Sequence, residues 1–138
     1  ASNAFSKIDI DDPFEEQKYG GAATASNGLV IFAPCSSDHV GIFDPSTSEF
    51  SKVNISAMVT GHDKYSDAVA STNGLVIMAP NAASSIGVFN ITSRVFTTVS
   101  TNSNHTSSSS GGGHIFNDMF RYSGASLTAD GMVVFSPK

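Results

Sequence analysis

Apolar residues in this chain fall into short runs, and each run is closed by a turn-forming residue. Leu29–Ala33, Leu75–Ala79 and Met132–Phe135 are wholly apolar, as suits a strand covered on both faces. Pro34, Pro80 and Pro137 stop them, because proline cannot donate to a central ladder. Asn27-Gly28, Asn73-Gly74 and Asp130-Gly131 precede them, and these pairs predict two-residue type I′ hairpin turns. Ahead of the first two turns lie runs of small residues, Gly21–Ala25 and Asp67–Ala70. After the prolines come polar loops and a third run, Val40–Phe43 or Ile86–Phe89. Asp44-Pro45-Ser46-Thr47 predicts a type I turn, since proline pre-sets its second position. A fourth run alternates from Phe50 to Ile55, with copies at Phe96–Val99 and Phe5–Ile10. No window carries the three-and-four spacing of an amphipathic helix.

The runs form a repeat. Lys18–Phe50 (KYGGAATASNGLVIFAPCSSDHVGIFDPSTSEF) matches Lys64–Phe96 (KYSDAVASTNGLVIMAPNAASSIGVFNITSRVF), and Arg121–Lys138 (RYSGASLTADGMVVFSPK) repeats the first half again. With the runs lettered A to D, the chain reads D, ABCD, ABCD, AB. The turn glycines Gly28 and Gly74 are 46 residues apart, and Gly74 and Gly131 are 57 apart, so the last repeat carries 11 extra residues. Asn102–Gly113 (NSNHTSSSSGGG) accounts for them, a low-complexity stretch with nothing apolar to bury. One domain over 5–138 is expected, with repeats at about 5–49, 50–95 and 96–138, and residues 1–4 read as a vector remnant.

A small-residue first strand, an Asn-Gly hairpin, an apolar second strand and the Phe43–Thr47 turn resemble the blade of a β-propeller of the kelch-like or NHL-like kind. Such blades are four-stranded antiparallel meanders of about 40–50 residues. The resemblance implies an all-β fold with about three blades per chain. Ala22, Ala23, Ala68, Gly124 and Ala125 would sit near the axis, where backbones approach closely. A β-trefoil, also built of three four-stranded units, is the alternative. Propellers typically close with 4–8 blades. Three repeats fall short, so a head-to-tail homodimer with six blades in all is expected, the alternative being that the chain is a fragment of a longer propeller.

Charge narrows the partners. The net charge is −5 and Lys and Arg do not cluster, which argues against a nucleic-acid partner. Ser and Thr total 33 residues and supply most of the polarity. No apolar run approaches the roughly 20 residues that span a bilayer. Cys35 is the single cysteine, which excludes an intrachain disulfide. A soluble protein is expected, either cytoplasmic or secreted after loss of a leader.

In a propeller the D–A and B–C loops share one face, and the tight A–B and C–D turns share the other. His39 lies in a B–C loop, and His62, His105 and His114 lie in D–A loops. Asp38, Asp63, Asp118, Lys18, Lys64, Arg121 and Cys35 join them. Binding residues favour loops on a rigid scaffold. The candidate ligand-binding set is therefore His39, His62, Asp63, His114, Asp118 and Arg121. Lys18-Tyr19, Lys64-Tyr65 and Arg121-Tyr122 recur once per repeat, which points to blade bridging, with the Tyr rings between blades and their hydroxyls satisfied. The acidic residues Asp9, Asp11, Asp12, Glu15 and Glu16 lack calcium-loop spacing and read as a solvated segment. No zinc-ligand spacing occurs and no cofactor is implied. The reading that follows is a non-catalytic binding or scaffolding module for a small polar ligand, glycan or peptide. A lyase or hydrolase using a histidine and a carboxylate at the channel mouth is the alternative.

Overall fold

The computed structural model describes residues 4–10, 16–101 and 121–138. It is an all-β fold of antiparallel sheets. The first sheet holds β1 (Tyr19–Thr24), β2 (Val30–Pro34), β3 (His39–Asp44) and β4 (Glu49–Asn54) in the order β1-β2-β3-β4. The second holds β5 (Tyr65–Ala70), β6 (Leu75–Pro80), β7 (Ser85–Asn90) and β8 (Val95–Ser100) in the same serial order. The remaining pair is a hairpin of β9 (Tyr122–Leu127) and β10 (Val133–Pro137). Each meander is a propeller blade, here called blade 1 and blade 2. The hairpin repeats a blade's inner half, as the A and B runs predict. His105, His114 and Asp118 lie outside the described residues, as does Asn102–Gly113.

The inner strands stand side by side, β1 against β5 and β5 against β9. Small residues permit this. A Cβ on Gly20 would come within 2.9 Å of the Ser66 carbonyl oxygen, and one on Gly21 within 2.8 Å of the Asp67 Cα. Real Cβ atoms do not approach backbone that closely, so a side chain at either position would force the strands apart.

Strand register sorts each blade into two faces, because directly paired residues point the same way. In blade 1, Ala23 pairs with Ile31 and Ile31 with Ile42. Val40 lies on that same face, and all four are buried. In blade 2, Ala68 pairs with Met78 and Met78 with Gly87, while Val76 pairs with Phe89 and Phe89 with Phe96. Those residues, with Tyr65, form the other kind of face and are also buried. One apolar cluster joins the two sets. The trailing face of blade 1 therefore covers the leading face of blade 2. The trailing face of blade 2 receives the hairpin: the Asp67 carboxylate accepts from the Ala125 amide at 3.0 Å, and the Ser66 hydroxyl donates to the Tyr122 carbonyl at 2.8 Å.

Two turns and one strand differ from expectation. The Asn-Gly and Asp-Gly sites are not type I′ turns. Gly28, Gly74 and Gly131 have φ of 87°, 80° and 87°, but the residues before them do not have positive φ. The Gly28 amide donates to the Ala25 carbonyl and the Ala25 amide to the Leu29 carbonyl. The loop therefore has three residues, a type I turn followed by a left-handed glycine. Second, the Asp44 turn is longer than four residues imply. Asp44 pairs with Glu49 across a loop of residues 45–48, in which Ser48 has φ of 59° and Asp44 Oδ1 accepts the Ser46 amide at 2.9 Å. Third, Phe5–Ile10 is not a strand. Its sequence, FSKIDI, is close to FSKVNI in and just after β4, but both third strands already carry their own fourth.

Gly41 and Gly87 serve packing. A Cβ on Gly87 would lie 2.9 Å from Tyr65 Cζ and 3.0 Å from Phe96 Cε2, because both rings close over the glycine. Gly87→Ala is expected to lower unfolding stability by about 1–3 kcal/mol through overpacking. Urea denaturation would show a lower midpoint at an unchanged slope.

Candidate functional site

The loop-bearing end of the blades is braced by main chain. Within blade 1 the Cys35 amide donates to the Lys18 carbonyl at 2.9 Å; between blades the Lys64 amide donates to the Cys35 carbonyl at 3.0 Å. The next step repeats this: the Asn81 amide donates to the Lys64 carbonyl and the Arg121 amide to the Asn81 carbonyl. Lys64 and Arg121 thus occupy the blade-bridging position expected of them, while the Lys18 carbonyl joins segments within blade 1.

Lys64 is 1% exposed. A buried ammonium is costly unless its donors are matched and its charge is balanced. Its Nζ donates to the Gly61 carbonyl at 2.6 Å and the Ser36 carbonyl at 3.2 Å, and lies 3.6 Å from Asp38 Oδ1. These partners come from the loop leading into β5 and from the B–C loop of blade 1, so one side chain fastens two blades. Arg121 reaches elsewhere from the equivalent position, donating through Nη1 to the Thr101 hydroxyl at 2.8 Å.

The loop after β4 is held by local chemistry. Asn54 Oδ1 accepts from the Ser56 amide at 2.9 Å, and the Ile55 carbonyl accepts from the amides of Met58 and Val59. Ile55 and Val59 are buried and anchor the loop. It then presents His62, which is exposed, and Asp63, which is half-buried at φ of 54°. The Cys35 thiol donates to Asp63 Oδ1 at 3.5 Å. Burial pushes that thiol's pKa up, and the Asp63 carboxylate raises it further. Cys35 is thus kept in the thiol form, opposite to the activation a nucleophile needs.

His39 opens β3 and pairs across the sheet with Asn54. Its Nε2 lies 3.4 Å from Asn54 Nδ2, and its Nδ1 is enclosed with no hydrogen-bond partner. The topology brings His39, His62, Asp63 and Arg121 to the same end of the blades. Among the described residues no three His, Cys, Asp or Glu side chains gather as a metal site.

The opposite end carries more than short turns. A cleft of about 340 Å³ opens there between the blades, lined by Leu29, Ile42, Phe50, Asp44, Glu49 and Arg94 among others. The Ser46 hydroxyl and amide hold the Asp44 carboxyl below the usual carboxylate range. The Thr128 hydroxyl does the same for Asp130.

Tyr65 is buried where blade 1 covers blade 2, as expected of a ring between blades. Each tyrosine ring lies along its own sheet: Tyr19 is 5.5 Å from Phe32 and 6.1 Å from Phe50, Tyr65 is 6.1 Å from Phe96, and Tyr122 is 5.3 Å from Phe135. The Tyr65 hydroxyl is buried above Gly87, and the Ser85 side chain near it makes no well-formed hydrogen bond. Burial pushes its pKa up to about 12, and the nearby Ser85 hydroxyl only partly offsets this.

Comparison with solved structures places this geometry. A crystal structure of virginiamycin B lyase from Staphylococcus aureus superposes with a TM-score of 0.65 over 93% of this chain, at 14% sequence identity. The chain has the β-propeller fold. It spans 37% of the length of that lyase chain, and at this identity the likeness speaks for fold alone. No protein-family model and no curated protein matches the sequence.

Two outcomes follow for the bracing residues. Lys64→Met is expected to lower stability by about 2 kcal/mol, because it strands two loop carbonyls and the Asp38 charge; thermal unfolding would register the loss. Tyr65 keeps its proton longer folded than unfolded, where the pKa is 10.0. Its linkage leaves stability unchanged below pH 10 and subtracts from it as pH rises from 10 to about 12. Tyr65→Phe is expected to lose less stability than the wild type over that interval, measured by urea titration at each pH.

Proposed function

We propose that this chain is a non-catalytic binding or scaffolding propeller module that recognises a small polar ligand, glycan or peptide at its loop-bearing end. The observation that carries this reading is His39. Its Nδ1 is enclosed and unpartnered, which costs free energy unless something completes the hydrogen bond. Because that atom is enclosed, a ligand's polar group completes the bond only by displacing the neighbouring loop as it binds. His62, Asp63 and Arg121 supply further donors and acceptors on the same end, and the Lys64 bridge keeps their loops from collapsing.

The kelch-like and NHL-like character of the repeat accords with use as a binding scaffold, although fold does not confer function. The lyase or hydrolase reading needs a histidine and a carboxylate to act together. Asp63 is instead engaged by the Cys35 thiol, and His114 and Asp118 lie outside the described residues.

The test is a screen of the full chain against a glycan array and a library of short peptides, followed by calorimetry on each hit. A hit weakened at least 10-fold by both His39→Ala and Asp63→Asn supports the reading. Hits indifferent to both substitutions, or chemical turnover of a hit, would contradict it.

A further inference from the structure

We propose that the leading face of blade 1 is a docking surface, and that its occupant is the C-terminal hairpin of a second copy of this chain. The repeat itself supplies the comparison. On that face lie Tyr19, Val30, Phe32, Phe43 and Phe50, all half-buried. Their blade 2 counterparts are Tyr65, Val76, Met78 and Phe89, each 0% exposed, and Phe96 at 3%. The residue chemistry is the same and the difference is the cover. In blade 2 the cover is the trailing face of the preceding blade, centred on Ile31 and Ala23.

The hairpin carries that trailing face in an uncovered form. Val134 stands where blade 1 has Ile31, and Met132 where it has Leu29. Ile31 is fully buried, whereas Val134 is 52% and Met132 59% exposed. A hairpin laid on blade 1 of another copy would seat Val134 against Tyr19 and Phe32, as Ile31 is seated on blade 2. Gly124 and Ser126, at the positions of Gly21 and Ala23, are small enough for the inner strands to meet. The main-chain bridge has matching ends as well. The Cys35 carbonyl accepts the Lys64 amide and the Asn81 carbonyl accepts the Arg121 amide. The next pair in that series is the Lys138 carbonyl of one copy and the Lys18 amide of the other.

The contact is head-to-tail, so each copy offers one of each surface and two copies can satisfy both. It also places Phe5–Ile10 beyond the partner's hairpin, on the side where blade 1 carries β3 and β4. Phe5, 96% exposed in the single chain, occupies the position of Phe50 and Phe96.

Sedimentation velocity of the 138-residue chain is expected to give twice the 14.3 kDa chain mass. Phe32→Lys blocks the blade 1 face and Val134→Lys blocks the hairpin. Each variant alone is expected to sediment at the single-chain mass while keeping its far-ultraviolet β signature. An equimolar mixture is expected to recover part of the doubled mass, because one of its two junctions joins the intact hairpin of the first variant to the intact face of the second. A wild type that stays at the single-chain mass at tens of micromolar would overturn the proposal. So would variants that still dimerise.

Discussion

Everything in this fold depends on one sheet lying face-down on the next at a separation set by glycine and alanine. Gly20 and Gly21 let β1 run so close to β5 that a Cβ would strike its backbone. That approach brings Ile31, Val40 and Ile42 of blade 1 over Val76, Met78 and Phe89 of blade 2, and the apolar cluster forms between them. Apolar surface removed from water provides the drive. The small inner strand decides how much of it can be removed. A single blade could not bury its apolar faces alone, which is why repetition and stability are the same fact here.

Polar chemistry follows from the same geometry. Where two blades meet, their loops turn carbonyls toward a shared space, and Lys64 fills it with an ammonium that faces Ser36, Gly61 and Asp38. Asp67 plays a comparable part at the inner strands, with one carboxylate oxygen on its own neighbour Ala68 and the other on Ala125 of the hairpin. These contacts add modest net energy but fix the rotation of one blade against the next, because a buried polar group left unmatched is costly. The loops at this end therefore stand on a rigid base, and His39 holds the enclosed, unpartnered atom among the proposed binding residues.

Much of the fold was legible in the sequence. Repeats at 46 residues, runs ended by proline and pale inner strands pointed to four-stranded blades, and the fold has them. Turn type was not legible, because Asn-Gly satisfies both a two-residue I′ loop and a three-residue loop ending in a left-handed glycine. Only the flanking hydrogen bonds separate the two. Phe5–Ile10 reads as a strand because it copies β4 almost residue for residue, yet a strand needs an open neighbour that sequence periodicity cannot guarantee. Lys64 was recognisable as a repeated bridging residue, but its burial was not, since lysine is ordinarily solvated and its carbonyl partners come from two separate loops. His39, His62, Asp63 and Arg121 were placed on one end by strand counting alone. The missing partner at His39 Nδ1 needed side-chain positions.

Blade packing has a direction: the trailing face of one blade covers the leading face of the next. A methyl and aromatic NOESY spectrum of the labelled chain reads this directly. Cross-peaks from Ile31, Val40 and Ile42 to Val76, Met78 and Phe89 are the predicted result. Cross-peaks joining Phe32 and Phe50 to those blade 2 residues, with Ile31 and Val40 seeing only their own sheet, would contradict it.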